Sequence, residues 1–306
     1  MADKGTHSYL EDSRNKNIKI YINGAIIPRT KAKISVFDSG FLLGDGVWEG
    51  IRLHNGHLCF SDEHFERLIN GAKQLRIDIG KSKNELINIV ESTLNANKMK
   101  SGVHIRLIIT RGLKRTPYQH PNANIGRASI VCIPEYKIAN KDMNNNGISL
   151  CSVNTIRGFQ NSQDPRLNTL SKLNCIVACL EAEEKGADEG IMLDPHGFVS
   201  TCNSTNLFIV KNSEVWTSTG EYCLPGVTRG NIIKICKEVG IPLFEKNYMI
   251  DDLKNADEIF ITGTFAGVIP AVKVDDGLIN SGKIGKLTST LFKLYKQKIE
   301  DKYSNE

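Results

Sequence analysis

A glycine-containing turn that leads directly into a helix is the first feature of this sequence that could do chemistry. Residues 224–229 read Leu-Pro-Gly-Val-Thr-Arg, and apolar residues recur at helical spacing from Ile232 to Val239. The first N–H groups of a helix have no partner within the helix and lie at the positive end of its dipole. Such a turn can hold a phosphate, although most turns of this kind are purely structural.

Two charged side chains could complete a site of this kind. Arg67 lies in the segment His-Phe-Glu-Arg-Leu of a predicted helix, and its forked, permanently charged guanidinium suits a phosphate. Lys172 is the only lysine between Gly147 and Lys185, so it is the only amine in that stretch that could form a Schiff base. On sequence grounds alone, either residue would more often be an ordinary solvated charge.

The elements that must position these residues are those of a mixed α/β protein. Hairpins are predicted to turn at Asn23-Gly24 and Asn55-Gly56, and helices are predicted to be capped by Ser61 and Ser82. Strands at 103–110 and 129–133 and a helix at about 173–185 follow from apolar periodicity. We expect four parts, namely a flexible N-terminal tail (1–17), a small α/β domain (18–133), an interdomain linker (134–147) and a large C-terminal cofactor-binding domain (148–306).

Composition excludes several classes of function. The 306 residues are 40% hydrophobic and 24% charged, as in soluble globular proteins, and the formal charge of +5 is scattered. No basic stripe suggests nucleic-acid binding, and no apolar run is long enough to span a membrane. The first 19 residues lack the apolar core of a signal peptide. The eight cysteines lie mostly in apolar runs, so we expect free thiols in a cytoplasmic protein, with no disulfide and no metal site.

Six segments form a pattern whose order and spacing are more specific than any one of them. They are 36–50, 64–68, 186–194, 204–208, 224–229 and 262–264. Together they resemble, over about residues 18–285, the fold-type IV pyridoxal-phosphate enzymes. That group includes branched-chain aminotransferases, D-amino acid aminotransferases and aminodeoxychorismate lyases.

The resemblance implies two α/β domains with pyridoxal 5′-phosphate in the cleft between them, and at least a homodimer. It implies that Lys172 carries the cofactor as a Schiff base and acts as the catalytic base. The cofactor would be bound by Arg67, Lys172, Thr201, Val227, Thr228 and Thr264. The substrate would be contacted by Trp48, His104, Arg106, Arg115 and Phe265.

Two positions depart from the family pattern. An ungapped comparison places the usual lysine at Asn168, so Lys172 can serve only if the following helix is about one turn shorter. The family glutamate that keeps the pyridine nitrogen protonated is replaced by Thr201. Its hydroxyl can bond a neutral nitrogen but cannot balance a buried pyridinium charge.

We therefore expect an aminotransferase that exchanges an amino group between an amino acid, branched-chain by slight preference, and a 2-oxo acid. The arginine-x-histidine pair of the D-specific enzymes reads Thr116-x-Tyr118 here, so that carboxylate trap is absent or rebuilt from Arg115. An aminodeoxychorismate lyase and a D-amino acid aminotransferase remain alternatives on the same scaffold. A non-catalytic protein that binds pyridoxal phosphate is an alternative of a different class.

Overall fold

The structure of the chain, a computed structural model, describes residues 11–139 and 141–304. It divides into two compact units. Among the described residues, the N-terminal unit comprises residues 11–138 together with Leu167–Lys172, and the C-terminal unit comprises residues 139 and 141–166 together with Leu173–Ser304. Most of the predicted tail (1–17) lies outside the described residues. Its last part forms a 3₁₀ helix, Ser13–Asn17, in which the Asn15 amide donates to the Tyr136 carbonyl.

The N-terminal unit is built around an antiparallel sheet. Its elements are β1 (Lys19–Ile22), β2 (Ala25–Pro28), α1 (Ser39–Leu43), β3 (Gly46–His54), β4 (His57–Leu58), α2 (Ser61–Gln74), α3 (Lys83–Ala96), β5 (Val103–Thr110), β6 (Leu113–Lys114), β7 (Asn124–Ile125) and β8 (Ser129–Tyr136). Within the described residues the sheet has the order β2-β1-β8-β5-β3-β4, and β6 pairs with β7 in a separate hairpin.

One face of this sheet packs on the two long helices. Alternate residues of β3 and β5, such as Ile51 and Ile105, are fully buried against apolar residues of α2 and α3, such as Phe65. The predicted hairpin turns and the capping box of Ser82 are confirmed. The prediction that Ser61 caps α2 is wrong. Phe60 occupies the N-cap position in a left-handed conformation, and its ring is buried, so the helix begins at Ser61 itself.

The C-terminal unit is built around a mixed sheet. Its elements are α4 (Lys141–Asn146), β9 (Ile148–Ser152), α5 (Gln160–Gln163), α6 (Leu173–Glu184), β10 (Glu189–Leu193), β11 (Val199–Cys202), β12 (Asn206–Lys211), β13 (Glu214–Thr217), α7 (Val227–Glu238), β14 (Leu243–Glu245), α8 (Ile250–Lys254), β15 (Glu258–Gly263), β16 (Gly267–Val274), β17 (Gly277–Leu278) and α9 (Lys286–Lys302).

The strands of this unit, so far as the structure describes them, follow the order β11-β10-β9-β16-β15-β12-β13-β14, with β17 paired to β16. β9 runs parallel to β10 and β16, β13 runs parallel to β14, and the other pairs are antiparallel. The apolar core includes Ile191, Leu207, Ile261 and Ile269. The expectation of a mixed α/β protein is confirmed.

The region predicted as a linker (134–147) contains regular structure at both ends. β8 continues to Tyr136, and α4 occupies Lys141–Asn146. Proline at position 134 is tolerated within β8 because β1 pairs with that strand only at Val131 and Cys132, which leaves one edge open beyond them. In the part of the chain that the structure describes, none of the helices combines the length and apolar character needed to cross a bilayer.

Candidate active site

The segment Leu167–Lys172 is bonded to the first half of β3 around an isolated antiparallel bridge between Val47 and Thr169. The Trp48 N–H donates to the Asn168 carbonyl at 3.0 Å, and the Leu170 N–H donates to the Gly46 carbonyl at 2.9 Å. Glycine is required at position 46 because a Cβ there would lie 2.5 Å from the Ile109 carbonyl oxygen and 2.7 Å from the Leu170 side chain. The glycine-rich sequence before Trp48 thus allows this segment to lie on the sheet until α6 begins.

Lys172 and Asn168, the two positions considered for the reactive amine, have different surroundings. Lys172 is half-buried, immediately precedes α6, and places its Nζ 6.0 Å from the centre of the Trp48 ring. Asn168 is buried, and its Nδ2 donates to the Trp48 carbonyl at 2.7 Å. Its Oδ1 has no hydrogen-bond partner among the described residues. α6 begins at Leu173, directly after Lys172, and the role of Lys172 stays a prediction.

The face of the sheet that carries Trp48 also carries polar side chains from β5. The Arg106 guanidinium carbon lies 4.0 Å from the centre of the Trp48 ring, which is the distance of a cation–π contact. A Cβ at Gly50 would come within 2.9 Å of the His104 Nε2, so glycine makes room for that ring. Trp48, His104 and Arg106 are therefore neighbours on one face of the sheet.

Arg67 is held by a buried carboxylate that the sequence analysis did not single out. Its Nε and Nη2 donate to the two oxygens of Glu49, both at 2.7 Å, and the His64 Nδ1 donates to Glu49 Oε2 at 2.6 Å. Burial alone would raise the pKa of Glu49, but the Arg67 charge and the hydrogen bonds from His64 and Arg67 hold it below its usual value. The signal was available, since Glu49 interrupts the apolar face of a strand.

The turn before α7 has the geometry of an anion cradle. Gly226 is the N-cap of this 12-residue helix and makes no side-chain capping bond, and Val227 and Thr228 are buried in its first turn. A Cβ at Gly226 would collide with the Asn206 Oδ1, so a larger residue would fill the space. The N–H groups of the first turn are thus available to a ligand of negative charge.

Thr264 and Phe265 lie in the turn between β15 and β16. Thr264 is half-buried, and Phe265 is buried. Thr262, at the end of β15, pairs with Asn206 on β12 and has a buried hydroxyl without a partner in the residues described. The turn therefore follows β15, which pairs at Thr262 with Asn206, and Asn206 borders the anion cradle at Gly226.

Thr201 is buried on β11 and belongs to a chain of hydrogen bonds. Its hydroxyl donates to the Thr205 carbonyl at 2.6 Å, and the Thr205 hydroxyl donates to Glu189 Oε2 at 2.7 Å. The Ser204 hydroxyl donates to the other oxygen of Glu189. Thr201 can accept a further hydrogen bond, but its own proton is already in use.

The predicted carboxylate-binding residue Arg115 has an exposed side chain in the segment that follows β6. Its neighbour Lys114 points inward, is buried, and donates to the Asn124 Oδ1 at 2.9 Å. Arg111 bonds both carboxylate oxygens of Asp45 and donates to the Leu75 carbonyl at the end of α2. A substrate contact of Arg115 stays a prediction.

The predicted residues are divided between the two units. The N-terminal unit contains Trp48, Arg67, His104, Arg106, Arg115 and Lys172. The C-terminal unit contains Thr201, Val227, Thr228, Thr264 and Phe265. Sequence reasoning missed the roles of Glu49, His64 and Glu189, which depend on contacts between distant segments.

Comparisons with known proteins agree with these motifs. The profile described as amino-transferase class IV matches residues 46–274. A putative branched-chain-amino-acid aminotransferase of Methanocaldococcus jannaschii is 38% identical over 282 residues, which cover 91% of this chain and 96% of that protein. The crystal structure of the branched-chain amino acid aminotransferase of Escherichia coli superposes with a TM-score of 0.87 at 28% identity. The match covers 94% of this chain and 98% of that chain.

A third relative is longer than this protein. Branched-chain-amino-acid aminotransferase-like protein 1 of Arabidopsis thaliana is 36% identical over 287 residues, which cover 94% of this chain. The chain spans about half the length of that relative, of which the match covers 52%. The mixed α/β fold predicted from the motifs is confirmed by the structural match. The chain belongs to the class IV aminotransferase family.

Proposed function

We propose that this protein is a pyridoxal 5′-phosphate-dependent aminotransferase that exchanges an amino group between a branched-chain amino acid and a 2-oxo acid. Family membership supports the reaction class, and the names of the relatives support the substrate class. The observation that carries the proposal is the place of Lys172. Its amine lies beside the Trp48 ring at the end of a segment that β3 holds in place.

The residues present fit the phosphate of this cofactor. The first turn of α7 offers uncapped N–H groups, Gly226 leaves a space that a Cβ would fill, and Thr264 adds a hydroxyl. Arg67 adds a guanidinium whose charge Glu49 partly balances. We assign the phosphate to Arg67, Val227, Thr228 and Thr264, since cations and helix N-termini favour anions.

The group that we place opposite the pyridine nitrogen of the cofactor, the Thr201 hydroxyl, is uncharged. The Thr201 hydroxyl donates its proton to the Thr205 carbonyl, so the expected bond to a neutral ring nitrogen is wrong, and the hydroxyl can accept a hydrogen bond only from a ring nitrogen that carries a proton. We assign Thr201 this position and expect the ring to be a weaker electron acceptor than one that faces a carboxylate.

Lys172 has two tasks in this proposal. When bound, pyridoxal phosphate supplies an aldehyde that amines can attack and a ring that withdraws electrons. Lys172 Nζ holds the cofactor in the resting protein and then takes and returns the α-proton of the substrate. Trp48, His104, Arg106 and Phe265 form the surroundings of the substrate side chain, and Arg115 contacts its carboxylate.

We further propose that the protein acts as a homodimer in the cytoplasm. Each unit exposes large apolar side chains. On α6 they recur at helical spacing, as Leu173, Ile176, Val177 and Leu180 do, and a second copy could cover them. The eight cysteines are free, and six of them are buried, which suits a reducing compartment.

Borohydride reduction followed by peptide mapping tests this proposal. The parent protein and Lys185→Met, a control lysine on the turn after α6, should carry the reduced cofactor on Lys172, and Lys172→Met should carry none. Incubation with leucine, isoleucine or valine should convert the parent cofactor to its amino form. Attachment to another lysine would contradict the assignment of Lys172.

The same incubations separate the alternatives. Conversion by D-alanine but not by L-amino acids would indicate a D-amino acid aminotransferase. Release of pyruvate from aminodeoxychorismate without an acceptor would indicate a lyase. Bound cofactor that no amino donor converts would indicate a non-catalytic binding protein.

A further inference from the structure

We propose that Asn168 is a ligand-binding residue whose Oδ1 accepts a hydrogen bond from a primary amine. This inference rests on the proposed function. Its consequence is that the site binds the amino form of the cofactor, pyridoxamine 5′-phosphate, more tightly than the aldehyde form when Lys172 cannot attach to the aldehyde.

The orientation of the Asn168 amide is fixed by the backbone of Trp48. The Trp48 N–H donates to the Asn168 carbonyl, and the Asn168 Nδ2 donates to the Trp48 carbonyl at 2.7 Å. Rotating the amide by half a turn would set Oδ1 against the Trp48 carbonyl, so that two acceptors would face each other. The direction of Oδ1 is therefore determined by the strand pairing.

The acceptor so directed is buried without a donor. Only 6% of Asn168 is exposed, and the residues that the structure describes provide no hydrogen-bond partner for Oδ1. Buried amide oxygens are nearly always paired in native proteins because leaving one unpaired is costly. This unpaired acceptor, four residues before Lys172 on a segment that bonds to β3, can therefore accept a hydrogen bond from a ligand.

The chemistry of the two cofactor forms decides which one supplies that donor. An aldehyde oxygen is only an acceptor, so it would face Oδ1 without a hydrogen bond. A primary amine carries N–H groups that an amide oxygen accepts, and asparagine, unlike lysine, cannot form a covalent bond to the aldehyde. Asn168 thus favours binding of the amino form over the aldehyde form.

Lys172→Met separates this selection from covalent attachment. Fluorescence titration of Lys172→Met should show pyridoxamine 5′-phosphate binding about tenfold tighter than pyridoxal 5′-phosphate, a difference of about 1.4 kcal/mol. Equal affinities for the two cofactor forms would overturn the inference in this single variant. A water molecule bonded to Oδ1 would give that result.

Two further variants in this background isolate the acceptor. Asn168→Leu and Asn168→Asp both lose the donor to the Trp48 carbonyl, but only aspartate keeps an acceptor. We expect the tenfold preference to disappear with leucine and to persist with aspartate. A preference that survives with leucine would assign it to another residue and overturn the inference.

The parent protein distinguishes a failure of this inference from a failure of the proposed function. If the parent exchanges amino groups but the preference does not depend on position 168, the aminotransferase proposal stands and the role of Asn168 is wrong. If the preference depends on position 168 but the parent converts no amino donor, the role of Asn168 stands and the proposed activity is wrong.

Discussion

Replacing Glu189 by glutamine should remove a pH dependence of stability that the fold of the C-terminal unit creates. Glu189 is completely buried on β10, where its oxygens accept hydrogen bonds from the Ser204 and Thr205 hydroxyls at 2.5 and 2.7 Å. Burial raises the pKa of Glu189 to about 7, although both hydroxyls favour the charged form. Glutamine has nearly the same shape, and the hydroxyls can rotate to suit it.

The direction and size of the effect follow from the two pKa values. Between the ordinary pKa of 4.5 and a folded-state pKa of about 7, the folded protein binds more protons at Glu189 than the unfolded chain. The free energy of unfolding therefore falls as the pH rises through this window. At about 1.36 kcal/mol for each pH unit, the loss between pH 4.5 and pH 7 is about 3 kcal/mol.

Urea unfolding of the ligand-free protein between pH 5 and pH 8 measures this loss. The difference in unfolding free energy between Glu189→Gln and the parent should grow by about 3 kcal/mol across the range, in favour of the variant. Glu183→Gln, which removes the same charge from the exposed surface of α6, should run parallel to the parent. If the unfolding free energy of Glu189→Gln also changes with pH in parallel to that of the parent, no buried carboxylate titrates at this position.

Three other substitutions test the cofactor site. Gly226→Ala should weaken the binding of pyridoxal phosphate at least tenfold in an equilibrium titration, because its methyl group would collide with Asn206. The control Gly230→Ala lies in the same helix, and its Cβ would have no atom within 4 Å, so it should leave binding unchanged. Arg67→Ala should weaken binding by about 1.5–3 kcal/mol, and equal affinity would remove this cation from the phosphate site. Thr201→Glu should shift the absorbance of the bound cofactor or its rate of conversion, and an unchanged spectrum and rate would show that Thr201 does not face the ring nitrogen.

Much of the fold could be predicted because local signals determine it. The Asn-Gly turns, the Ser82 capping box and the spacing of apolar residues in α6 each involve residues close in sequence. The end of β8 and the cap of α2 could not be predicted in this way. They depend on an open strand edge beside Pro134 and on the burial of the Phe60 ring, which only the packed unit defines.

The candidate site was predictable as a set of residue types but not as a set of contacts. The motifs indicated Arg67, yet its pairing with Glu49 and His64 depends on α2 packing against β3. The substitution at Asn168 was visible in the sequence, but its unpaired oxygen follows from hydrogen bonds to a strand 120 residues away. Such contacts carry no local sequence signal.

The threonine in place of the family glutamate is physically coupled to Glu189. Thr201 and Glu189 are separated by two hydrogen bonds through Thr205. A carboxylate at position 201 would therefore place a second negative charge near a buried one, and like charges raise each other's pKa. In the ligand-free protein, Thr201→Glu should steepen the loss of unfolding free energy above pH 5, and adding Glu189→Gln should restore part of it. If the double variant loses as much stability with rising pH as Thr201→Glu alone, the two positions do not interact. Repulsion from Glu189 would then not explain why position 201 carries a threonine.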